Sequence, residues 1–137
     1  MGGTYLLQNK AGEFELPIPE KIFLAEFNEI KKIADEKSAV FVSRCADYAL
    51  ADYDNCVSIF IYAPIKKRME RIIERQNVNE EKAKKIIRKV DKKRAAYYNY
   101  YTSQKWGDMN NYHLCIDSSL SGTYGTANII RGIIEHI

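Results

Sequence analysis

Residues 56–87 read "CVSIFIYAPIKKRMERIIERQNVNEEKAKKII", and the fold class turns on this passage. Its first part, 56–64, is a short continuous apolar run closed by Pro64. That is the pattern of a strand buried on both faces. Charged, periodic sequence follows over 65–75 and reads as a helix. Asn79 then caps a second, longer helix running toward Tyr101.

Working outward, "AVFV" (39–42) and "HLCID" (113–117) are further apolar runs of strand length. Pro19 opens a helix in which Phe23, Phe27, Ile30 and Ala34 form one apolar stripe, and 126–136 is amphipathic. The order strand, helices, strand, helix after an opening helix and strand predicts an α/β layer fold on a parallel sheet. The start, "MGGTYLLQNKAGEFELPIPE", reads as an irregular arm over 1–18 with one short extended piece at 4–7. Three strands plus that weak candidate make a thin sheet, since such sheets average about five or six strands.

A chain of 137 residues is one domain by default, here 19–137 behind the arm. Composition is ordinary for a globular protein, at 46% hydrophobic and 28% charged. The net charge of +3 argues only weakly for a polyanion partner. Its distribution says more: 82–94 carries eight cations against Asp91 alone. No run approaches the roughly 18 apolar residues of a membrane span, and the first ten residues lack a secretory pattern. Cys45, Cys56 and Cys115 show no CxxC spacing, so reduced thiols of a cytoplasmic protein are expected. His113 and Cys115 alone are too few for a metal site, and none is expected.

Ligands of open α/β sheets bind beyond the carboxyl ends of the strands. The run at 39–42 leads directly into "SRCADY", which places Ser43, Arg44 and Asp47 there. Arg44 offers a planar donor fork to a phosphate; the plainer reading is a surface ion pair with Asp47. Arg68, Arg71 and Arg75 project from one face of the 65–75 helix, beside Glu74, which offsets part of their charge. In "RKVDKKRAAYYNYYTSQKWGD" (88–108), Arg88, Asp91 and Arg94 follow at steps of three, the carboxylate between two guanidiniums. Tyr97, Tyr98, Tyr100 and Tyr101 span too wide an arc for one stacking platform, so most are expected to pack inward. Two cation-bearing helices joined by the polar "QNVNEE" form a flap, about 66–95, able to close over anions and exclude water.

Four stretches, "VFVSRCADYAL", "VSIFIYAPIKKRMERIIER", "DKKRAAYYNYYTSQKWGD" and "YHLCIDSSLSGTYGT", resemble the cytidylate-kinase-like proteins, a branch of the nucleoside monophosphate kinases. The likeness runs from Leu16 to Ile137. It implies a P-loop nucleotide-kinase fold with a three-layer parallel sheet. In the complete family member it implies phosphoryl transfer from ATP, with Mg²⁺, to CMP or dCMP. It implies acceptor binding by Arg44, Asp47, Asp91 and Arg94, and phosphate contacts from lid residues Arg68 and Arg88. Arg71 and Arg75 would stabilise the transferring charge, and Ser118 and Ser119 would lie near a base edge.

The departures are as informative. No GxxxxGK[ST] loop occurs anywhere in the chain, and Ser43 stands where the family has a glycine. Cys45 follows Arg44 directly, and Asp47 comes later. The resemblance therefore implies a member lacking the first strand, phosphate loop and first helix, and inactive alone. The missing strand would lie between 39–42 and 56–62, leaving two apolar edges open to 4–7 or to a second copy in a homo-oligomer. Two other readings stand beside this one. The chain could be a non-catalytic nucleotide-sensing or partner-binding module, or an RNA-binding protein acting through 82–94. The inward tyrosines argue against nucleic acid as a partner.

Overall fold

In a computed structural model, which describes residues 16–137, the chain is a helix-rich α/β arrangement around a small parallel sheet. Helix α1 (Ile18–Glu36) begins after Pro17, with Pro19 and Glu20 in its first turn, where a missing N–H and a negative charge are both tolerated. Its stripe packs on the four-residue helix α2 (Ala46–Ala49). Ile30, Ala46, Ala49 and Leu50 form the buried cluster, flanked by Phe27, Ala34 and Phe41.

Strands β1 (Ile59–Tyr62) and β2 (Leu114–Asp117) pair in parallel, Ile59 opposite Leu114 and Tyr62 opposite Asp117. A clasp closes the ladder at each end. At the entry, the Ser58 N–H donates to His113 Nδ1 and the His113 N–H to the Ser58 carbonyl, each at 2.9 Å. At the exit, the Ser118 N–H and hydroxyl both donate to the Tyr62 carbonyl, at 2.9 and 3.1 Å.

Between the strands runs a helical hairpin, α3 (Ile65–Gln76) and α4 (Glu80–Thr102). Asn77 ends α3 in the left-handed conformation, which asparagine tolerates, and the Asn79 side chain caps α4 by accepting from the Lys82 N–H. Ala83 on α4 is 0% exposed. After α4, Gly107 turns at φ +77°, and a Cβ there would lie 3.4 Å from the Phe60 ring. Phe60 in turn packs edge-on against Trp106, so this turn anchors the tail of α4 to the sheet. A last helix, α5 (Gly122–Ile134), follows β2.

The strand expected at 39–42 is not formed. Among the described residues the sheet has two strands, and Val40 and Val42 are 88% and 85% exposed while Phe41 turns into the α1–α2 cluster. A strand is completed by ladder partners, which local sequence cannot supply. Here β2 occupies one edge of β1, and no described residue occupies the other. The extended piece at 4–7 lies outside the described residues.

Candidate functional site

Three consecutive residues, Ser43, Arg44 and Cys45, adopt left-handed backbone, at φ 68°, 60° and 57°. None is glycine, and each such position costs an L-residue roughly 1–2 kcal/mol. The turn persists because both sides are anchored. Behind it, Ala46, Ala49 and Leu50 are buried against α1. Ahead of it, Asp47 is held by α4: the Tyr98 hydroxyl donates to Asp47 Oδ2 at 2.6 Å, and the Gln104 amide lies 2.9 Å from the same hydroxyl. Burial first, and the Asp47 carboxylate second, push the Tyr98 phenol well above its usual range. It is therefore a permanent donor.

Arg44 does not pair with Asp47. Its Nε lies 3.7 Å from Glu26 Oε1 on α1, and its guanidinium sits over the Tyr97 ring, 5.9 Å from the centroid. Tyr97 also donates to the other Glu26 oxygen, at 3.3 Å. Cys45 beside it is buried, and its thiol is pushed up to about 11, mainly by burial, with Asp47 and Glu26 adding and Arg44 opposing. That keeps it a neutral packing group rather than a nucleophile.

The second part of the site is the helical hairpin. Arg68 grips Asp91 with both terminal nitrogens, at 2.8 and 2.6 Å, tying α3 to α4. The sequence pattern places Asp91 between Arg88 and Arg94 of its own helix, but both its oxygens go instead to the partly buried guanidinium across the hairpin. Helical spacing alone cannot reveal this, because the partner comes from another element. Arg75, Arg88 and Arg94 are exposed. Arg71 faces a groove of about 250 Å³ between α3 and the turn after β2, lined also by Lys67, Glu70, Glu74, Ser118, Ser119 and Gly122. Lys67 is engaged there by Glu70 at 2.9 Å. Ser119 is fixed by Asp117, which accepts from its N–H and its hydroxyl.

The chain was then compared with known proteins. The model of the cytidylate kinase-like family matches residues 3–120. The chain belongs to that family. Cytidylate kinases of Pyrococcus abyssi and Pyrococcus furiosus are each 30% identical over 105 residues, which is 76% of this chain and 56% and 53% of theirs. The chain thus spans about half the length of these relatives. A crystal structure of an uncharacterized protein from Eubacterium ventriosum is 31% identical, with a TM-score of 0.76, covering 89% of this chain and 69% of that one.

Within this cytidylate-kinase-like chain the geometry brings Arg68 to Asp91 and sets Arg71 beside Ser118 and Ser119. It leaves Arg44 and Asp47 adjacent but turned to different helices. Glu26, Gln104 and Lys67 carry no sequence signal of their roles. Tyr97 and Tyr98 are marked as inward-packing tyrosines, but their carboxylate partners are visible only in three dimensions.

Two outcomes follow. Ser43→Gly relieves one left-handed position and raises stability by about 1 kcal/mol net of glycine's entropy, measured as a higher Tm. An unchanged or lower Tm would show that position 43 is not strained. Because the folded state holds the Cys45 proton more tightly than the unfolded chain, its contribution is complete below the ordinary thiol value of 9.0 and is lost as pH rises through about 11. Urea unfolding should therefore show wild type losing on the order of 2 kcal/mol across that window. Cys45→Ala should lose measurably less; equal losses would assign the effect elsewhere.

Proposed function

We propose that this chain binds a nucleoside monophosphate, CMP or dCMP, through the SRCADY turn and the neighbouring face of α4. The observation that carries the proposal is Arg44: a guanidinium on a strained, doubly anchored turn, with a carboxylate 3.7 Å from Nε and 60% of its side chain open to solvent. Such a group presents its Nη1–Nη2 edge to a phosphate as a two-pronged donor. Arg94 and Arg88 add exposed positive charge on α4, and Asp47 keeps Oδ1 for a donor on the acceptor nucleotide. Asp91 serves the lid by holding Arg68, and Arg71, with Arg75 a turn later, approaches the phosphates from the groove side.

In a complete family member, ATP with Mg²⁺ donates the phosphoryl group and the lid arginines stabilise the transferring charge. The residues described here do not fit that donor. In the groove, Lys67 and Arg71 face Glu70 and Glu74, so the charges cancel, and Lys67 is already paired. No glycine-rich run in the sequence offers the backbone cradle that a triphosphate needs. This charge balance favours a second reading, a nucleotide-sensing module without turnover. The RNA-binding reading is disfavoured because Tyr98 is buried and Tyr101 stacks on Phe23 at 4.1 Å, so their rings are not open to bases.

Calorimetric titration of CMP at physiological salt tests the proposal. Saturable binding is expected, weakened at least about tenfold in Arg44→Ala, the scale of one charge-assisted contact. Absence of heat from a folded chain would overturn it. The open edge of β1, with Val40, Val42 and Ile61 exposed, leads us to propose self-association as well. Light scattering should give a mass that rises with concentration above the 15.8 kDa of one chain. A constant monomer mass would rule this out.

A further inference from the structure

We infer that Glu26 is a positioning residue for acceptor recognition, selecting which edge of Arg44 meets the phosphate. The inference rests on the CMP-binding reading above and adds to it a residue on α1.

A guanidinium has two donor forks, Nε with one terminal nitrogen, and the two terminal nitrogens together. A carboxylate beside Nε draws the first toward itself by charge, at ion-pair rather than hydrogen-bond distance, and leaves the second to point outward. Glu26 Oε1 stands at that position, 3.7 Å from Nε. An exposed pair at this separation contributes little to stability. Its consequence is orientation, and orientation requires that the carboxylate itself be fixed.

Glu26 is fixed from two sides. Its side chain is about half as exposed as that of Arg44, 31% against 60%, and the Tyr97 hydroxyl donates to Oε2 at 3.3 Å. Tyr97 is locked in its own aromatic cluster, 4.7 Å from Tyr101 and edge-on to Phe23 at 6.5 Å, while Phe23 stacks on Tyr101. The same Tyr97 ring lies under the Arg44 guanidinium. Three elements thus converge on one side chain: the left-handed turn sets the Arg44 backbone, α1 supplies the carboxylate, and α4 supplies the ring and the hydroxyl. By charge alone, Glu26 would repel a phosphate. Orientation and charge therefore predict opposite effects when it is removed, so the two can be told apart.

The experiment is CMP titration of wild type, Glu26→Gln, Glu26→Ala, Arg44→Ala and the Glu26→Ala/Arg44→Ala double variant, with thermal melts confirming that each is folded. Glu26→Ala should weaken CMP binding at least about fivefold, a coupling typical of contacting residues. Glu26→Gln, which keeps one oxygen for Nε and offers an amide N–H that the Tyr97 hydroxyl can accept, should stay within about twofold of wild type. In the Arg44→Ala background, Glu26→Ala should change nothing further. Tighter or unchanged binding in Glu26→Ala, or losses that simply add, would overturn the inference while leaving CMP binding intact. If wild type binds no CMP, the functional reading itself fails and the inference falls with it. A readout without nucleotide separates geometry from binding: the Arg44 side-chain NMR resonances should shift in Glu26→Ala relative to wild type, and unchanged resonances would overturn the contact.

Discussion

A phenol that is 5% exposed, donating to a carboxylate 51 positions earlier in the chain, is the constraint on which the site depends. The Tyr98–Asp47 hydrogen bond joins the strained turn to α4, and hydrogen bonds to charged groups are worth about 1.5–3 kcal/mol. That is comparable to the cost of one or two left-handed residues, so the bond and the buried alanines behind the turn together hold what the local backbone disfavours. Burial keeps the phenol protonated, so the donor does not switch off in the physiological range. Helix α4 is the spine of the arrangement: Tyr98 holds the turn, Tyr97 and Tyr101 hold α1, and Asp91 holds α3.

The tie to α3 limits what the lid can do. An arginine whose two terminal nitrogens grip a carboxylate is not also free to grip a phosphate. Arg68 therefore stabilises the hairpin, while Arg71 lines the groove and Arg88 and Arg94 stay exposed on α4. Because α3 and α4 share this fork, the hairpin is braced where Arg68 meets Asp91.

The four long helices and two of the strands were legible because each is written locally, whereas the short helix α2 was not expected. The apolar stripe of α1, the Pro64 boundary of β1 and the Asn79 cap of α4 are short-range signals, and the structure realises each of them within a few residues. The run at 39–42 carries the same local signal as the strands that formed. It differs only in having no described neighbour to complete its ladder, which four residues cannot encode. At the site, Arg44 and the lid arginines could be picked out as cations in a telling order. Their partners could not, since Arg44 and Arg68 meet carboxylates 18 and 23 positions away on other elements.

The unpaired run and the strained turn are adjacent in the chain. Val42, the last residue of the unpaired run, directly precedes the left-handed turn. Among the described residues no large side chain is fully buried; before the turn Val40 and Val42 face solvent while Phe41 packs on the α1–α2 cluster. A strand laid against this run would add ladder hydrogen bonds immediately before Ser43 and stiffen the entry to the turn, as Tyr98 already stiffens its exit.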